Sequence, residues 1–361
     1  MNMQDNTGPL QLSNFLKHGA FYRLHGEYRF FSLSDSATTS KAAGETVWSP
    51  NFFDLQKAKH AVTAGMAISN ISEFISDLEK NLQSEAVSPQ TSRTWLAPNY
   101  QDYSKNFQLV VDEIKNGRIK KAVPHAVWTS NMTLSKLEKS TIIIKALEAS
   151  VNLIPFGFWD SDGGILGTTP EILFHRKADF LKTMALAGTR AKTQNFNKDE
   201  FLNASKEREE HQIVVESMIS KLSKLGEVTQ SKCEVVEYPQ LAHLRTQLEL
   251  KLKATITNQE IVKLLHPTPA LGVFPTSEMP WFKALPVQKD RQRFGAPLLF
   301  ETQNEALALV CIRAIEWDLT HVWVSAGGGV VKESSLEGEW EEIKTKFNSI
   351  GKNLGLESIV K

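Results

Sequence analysis

Residues 326–342 read AGGGVVKESSLEGEWEE. An apolar, strand-like stretch (HVWVSA, 321–326) runs into three glycines, and a helical pattern follows. Backbone without side chains can approach an anionic ligand closely and offer it N–H groups. Most glycine runs are turns, however, and no GK[ST] follows to make a phosphate loop. The helical pattern says more. Ser334, with Glu337 three residues on, has the form of a capping box. Trp340, Ile343, Phe347 and Ile350 then recur at three or four residues as a buried stripe, while Glu339, Glu342 and Lys346 lie on an adjacent one. This helix therefore offers two aligned carboxylates beside its core face.

A second helix is expected over 206–225, with Ser205 as its cap and Ile213, Met218, Ile219 and Leu222 as its apolar face. By composition Glu207, Glu209, Glu210 and His211 read as a solvated face. Glu210 and His211 are adjacent and point about 100° apart, so both cannot readily ligate one ion. One carboxylate from this helix joined to Glu339 and Glu342 would instead make an oxygen-rich site suited to Mg²⁺.

The whole chain sets the bounds. It has 361 residues, and 41 Lys plus Arg balance 41 Asp plus Glu. Zero formal charge excludes a dominantly electrostatic binder of nucleic acid or anionic membrane. With 41% hydrophobic and 23% charged residues, the chain can bury a sizeable core, as two domains or one large unit. Cys233 and Cys311 form neither a disulfide framework nor a CxxC pair, so buried free thiols in a reducing compartment are expected. The opening MNMQDNTGPLQLSNF lacks the features of a secretion signal, and no segment approaches the roughly 18 apolar residues of a membrane span. A cytoplasmic protein is expected.

Residues 32–46 and 85–93 are small, polar and turn-forming. They suggest an N-terminal part over 1–97 and a catalytic region over 98–361. From 97 onward, helix-like stretches at 111–115 and 136–150 interleave with strand-like ones at 122–128, 156–160, 163–168 and 171–175. Closely paired strands point to an α+β fold with largely antiparallel sheets and helices packed outside.

GTTPEILF (167–174), ALAGTR (185–190), EHQIVV (210–215), HLRTQL (243–248), LHPTPALG (265–272) and the 326–342 stretch occur in the order of one family. The sequence resembles the chorismate-utilising enzymes, and among them the isochorismate synthases, over residues 98–350. The resemblance implies two α/β halves around an antiparallel sheet core, with a deep active-site cleft and Mg²⁺ as the only cofactor. By residue, it implies Lys121 as the base that activates water. Lys120 competes, but Ile119 supplies the apolar residue that the family pattern has two before the lysine. Glu171 in TTPE matches the general acid, and Glu210, Glu339 and Glu342 match the metal carboxylates. Arg313, Lys346, Thr189 and the backbone of Gly327 and Gly329 match groups that hold the substrate's two carboxylates, while His243 lines the pocket.

The implied reaction adds water at C2 of chorismate while the C4 hydroxyl leaves, which requires a base and an acid on opposite sides of the ring. The product would feed menaquinone or a catechol siderophore. Ala187 stands where members that install an amine covalently carry lysine, which excludes that route. HPTPA replaces the glycine-rich stretch of anthranilate synthases, so no glutamine amidotransferase partner is expected. Ala270 and Phe294 are apolar where salicylate-forming relatives tend to carry Thr and Tyr, which points to a synthase that stops at isochorismate. A monomer or weak homodimer is expected. Against this stand departures at Val273, Glu249, Leu250, Ala296 and Leu299, where the family usually has glycine or a small residue. Salicylate or anthranilate formation, and a homologue that binds without turnover, are the alternatives.

Overall fold

The hairpin at 19–32, GAFYRLHGEYRFFS, displays the building rule of the molecule. His25 and Gly26 both take positive φ (51° and 86°), a two-residue turn that folds Gly19–Leu24 onto Glu27–Ser32. All six residues of the first strand are buried, because both faces of its sheet are covered. Ala20, Tyr22 and Leu24 point into the space between two sheets, and Phe21 points to the other face against Trp159.

The computed structural model describes residues 12–33, 45–56, 58–63, 65–67, 71–84, 93–302 and 304–356. One sheet runs, in spatial order, through Gly65–Ala67, Glu27–Ser32, Gly19–Leu24, Ile154–Asp160, Gly163–Thr169, Ala314–Asp318, Val322–Gly327 and His125–Ser130. The other runs through Val228–Gln230, Leu241–Lys251, Phe180–Ala191, Ile172–Lys177, Glu305–Val310, Pro297–Glu301, Glu45–Ser49 and Lys59–Thr63. Both are antiparallel, and their facing sides share a core to which one sheet gives Tyr22, Phe156 and Phe158 and the other Val47, Leu298 and Phe300. Helices Lys136–Leu147 and Leu336–Leu354 cover the first sheet and helix Ser205–Leu222 the second. The expected α+β arrangement around an antiparallel core is present. Strands from residues 19–67 belong to both sheets.

Local differences from the sequence reading have local causes. Ser335, not Ser334, caps helix Leu336–Leu354 by accepting from the Gly338 N–H, while the Ser334 hydroxyl donates to Glu339. Ser205 is the first residue of its helix, Ala204 holds the cap position without a side-chain bond, and the helix ends at Leu222. Pro124 splits 122–128 into Lys121–Ala122 and His125–Ser130. The helix read at 111–115 begins at Tyr100, and the one read at 136–150 ends at Leu147. Cys311 is buried, but Cys233 is only half-buried. Most of the loops read at 32–46 and 85–93 lies outside the described residues.

Candidate active site

The site forms where the chain crosses between the sheets. Glu171 lies between Gly163–Thr169 of the first sheet and Ile172–Lys177 of the second, and Arg313 lies on the return from Glu305–Val310 to Ala314–Asp318. The two crossings are bonded together: Thr168 donates its N–H to the Arg313 carbonyl at 3.1 Å, and Val310 to the Glu171 carbonyl at 3.2 Å. Arg313 adopts φ 53°, a backbone state that a non-glycine residue holds only when its surroundings impose it.

A cavity opens at this crossing. Glu171, Thr189, Glu210, His243, Ala270, Phe294, Arg313, Gly327, Gly329 and Lys346, all singled out from the sequence, line it. Lys121, Glu339 and Glu342 do not line it, but Lys121 pairs with Glu210 and Glu342 with Lys346, which do. Leu186, Leu271, Ile312, Ser325 and Ile350 also line it and carried no signal in the sequence beyond apolar or small character.

Lys121 is 0% exposed, whereas Lys120 is exposed, so of the two only Lys121 points inward. Its Nζ lies 2.9 Å from Glu210 Oε1. Burial pushes the Glu210 carboxyl up, but Lys121, with Lys346 and Lys206 further off, outweighs it and holds the group below its ordinary value. Glu210 and His211 are both buried, which corrects the solvated-face reading; His211 Nε2 sits 2.8 Å from Thr246 Oγ1. Glu339 is 0% exposed, with Lys206 and the Ser334 hydroxyl both 2.7 Å from its Oε1 and nothing on Oε2. Burial, then the charge of Glu342, raises its carboxyl to about 7 against the pull of Lys206. Lys346 donates to the Gly327 carbonyl at 2.8 Å and pairs with Glu342 at 2.8 Å. The glycine run follows from these carboxylates. A Cβ at Gly328 would come within 2.3 Å of Glu339 Oε2, and one at Gly329 within 2.2 Å of Glu210 Oε1. Among the described residues, no three acidic, histidine or cysteine side chains already converge on one point as a metal site.

Glu171 is held differently. Burial lifts its carboxyl to about 8, against the lowering effect of Lys121, Lys346 and Arg313, so it is mostly protonated at neutral pH. Thr189 Oγ1 lies 3.1 Å from His243 Nδ1, and His243 Nε2 contacts the Arg313 guanidinium. Burial, then Arg313, holds His243 well below its ordinary value, so it is neutral and accepts from Arg313.

A family model described as chorismate binding enzyme matches residues 21–352. The chain belongs to the chorismate-binding enzymes. It is 26% identical over 256 residues to anthranilate synthase component 1 of Neisseria meningitidis, covering 68% of this chain and 52% of that protein. It is 29% identical over 205 residues to isochorismate synthase EntC of Escherichia coli, covering 54% of this chain and 52% of that one. The chain thus spans about half the length of these curated relatives. The solved structure of MenF, the menaquinone-specific isochorismate synthase of Escherichia coli, superposes with a TM-score of 0.76 at 18% identity, covering 98% of this chain and 92% of that one. The family match reaches well into the N-terminal residues that the motifs left undiagnosed.

Within this family the departures from glycine are absorbed by regular backbone. Gly295 takes φ 79°, one residue before the expected glycine, and neither Ala296 nor Leu299 has positive φ. Leu299 lies in strand Pro297–Glu301, and Glu249 and Leu250 lie in Leu241–Lys251. Val273 pairs with Ala122 and Phe274 with Lys121, so that departure lies in the short ladder supporting the Lys121 backbone. No helix among the described residues is long and apolar enough to cross a membrane.

Proposed function

We propose that this chorismate-binding enzyme is an isochorismate synthase, adding water at C2 of chorismate as the C4 hydroxyl leaves. The observation that carries the reading is a carboxylic acid, Glu171, kept protonated up to about pH 8 in the same cavity as a buried guanidinium. Hydroxide is a poor leaving group, and a neutral Glu171 would give it the proton that makes it water. Lys121 would take the proton from the attacking water. Arg313 and Lys346 would hold the substrate's carboxylates, Arg313 through its planar fork.

The donor set fits Mg²⁺. All three candidate ligands, Glu210, Glu339 and Glu342, offer oxygen, one buried oxygen of Glu339 has no partner, and burial, then the charge of Glu342, raises the Glu339 carboxyl. When bound, Mg²⁺ would neutralise the ring carboxylate of the substrate and fix its orientation. The apolar Ala270 and Phe294 side chains offer the enolpyruvyl arm no hydrogen bond, which favours release of isochorismate over loss of pyruvate. Incubation with chorismate and Mg²⁺ followed by chromatography tests the reading. Isochorismate in equilibrium with chorismate is expected, and anthranilate formed with ammonia, or no conversion, would overturn it.

A further inference from the structure

Arg313 is 5% exposed, and a buried guanidinium is ordinarily neutralised by a carboxylate. Among the described residues Arg313 forms no ion pair. Its guanidinium lies over the ring of Tyr238, 4.8 Å from the centroid, and its other contact is the neutral imidazole of His243. Tyr238 and His243 stand 5.4 Å apart at 60°, two walls of a corner into which the guanidinium fits. Nη1 is buried and has no partner. Tyr238 is fixed in turn: its N–H donates to the Leu241 carbonyl at 2.8 Å and its side chain packs with Leu153 and Val236.

We infer that Tyr238 is a positioning residue, whose ring face aims the Arg313 guanidinium at the cavity without neutralising it. A carboxylate in its place would orient the group equally well but cancel the charge that an anionic ligand needs. A ring face attracts the cation through its quadrupole and carries no net charge. Burial pushes the Tyr238 hydroxyl up to about 12, so it is no counter-ion at neutral pH, and Arg313, lowered by burial to about 10, remains charged. That the ligand is chorismate rests on the proposed function; the positioning role does not.

Isosteric rings at position 238 separate orientation from packing. Tyr238→Phe and phenylalanines with two or four ring fluorines keep the shape while weakening the π face. Chorismate affinity by calorimetry is expected within about two-fold of wild type for Tyr238→Phe and to fall about ten-fold across the fluorinated series. Tyr238→Leu should raise KM more than it lowers kcat. Phenylglyoxal labelling of Arg313, read by mass spectrometry, needs no ligand and should quicken along the same series. Affinity and labelling both flat across the series would overturn the inference. Wild-type protein that fails to bind chorismate would overturn the proposed function instead, and the labelling series would then decide the role of Tyr238.

Discussion

Lys121, Lys206 and Lys346 lie 2.9, 2.7 and 2.8 Å from oxygens of Glu210, Glu339 and Glu342, whereas among the described residues the side chains in contact with the Arg313 guanidinium are a tyrosine ring and a neutral imidazole. The lysine region is a lattice of compensated charges. The arginine region is a single uncompensated one. Paired charges partly offset the cost of burying one another, and exchanging a partner changes every neighbour. An uncompensated charge is costly to bury and is relieved by an anion. On the proposed function this divides the labour, with the base Lys121 and the metal carboxylates where charges can trade partners, and Arg313 waiting for an anionic partner beside the acid Glu171.

The largest test of that division is removal of the proton-transfer groups. Lys121→Ala and Glu171→Gln should each lower kcat by on the order of 10²–10⁴ with the fold intact. Near-normal turnover in Lys121→Ala would move the base elsewhere. Arg313→Gln should act on the other side of the comparison, raising KM by roughly 10–100-fold, the weight of a charge-assisted hydrogen bond, while kcat changes less. A kcat loss as large as that of Glu171→Gln would erase the distinction. Glu339→Gln should weaken Mg²⁺ about ten-fold or more, and unchanged Mg²⁺ dependence would show that the carboxylates are only partners for lysines.

The pH dependence is subtler. The Glu171 carboxyl is raised from 4.5 to about 8, so the native state binds more protons than the unfolded state between those values. Its contribution to stability is present below about pH 4.5 and is lost as pH rises through about 8. Glu171→Gln should therefore gain stability over wild type progressively across that window, as read by urea midpoints, while turnover in the wild type falls above about pH 8. Parallel pH profiles in the two proteins would mean that Glu171 is not held protonated.

What was legible in the sequence had short-range causes. The glycine run and the carboxylates three residues apart are local patterns, and each motif in the ordered series is short, so the residues they indicated could be picked out and gather around one cavity. What was not legible depended on contacts between distant segments. Tyr238 is an ordinary aromatic until the turn at 238–241 sets it over Arg313. Glu210 and His211 looked solvated because the sheet that buries them comes from strands at 180–191 and 241–251. The departure from glycine at Ala296 looked costly because only the backbone reveals that φ is positive at Gly295 instead, and the one at Val273 because only the fold places it in the ladder with Ala122. The strands of residues 19–67 are short and separated by polar stretches, so their places in both sheets carried no local pattern.

Isochorismate formed in water labelled with oxygen-18 measures the central claim most directly. If Lys121 activates water at C2 while Glu171 protonates the departing C4 hydroxyl, each product molecule from the first passage carries one labelled oxygen, at C2, by mass spectrometry and NMR. Isochorismate without the label would mean that the hydroxyl migrates within the substrate, and the acid and base roles assigned to Glu171 and Lys121 would fall together.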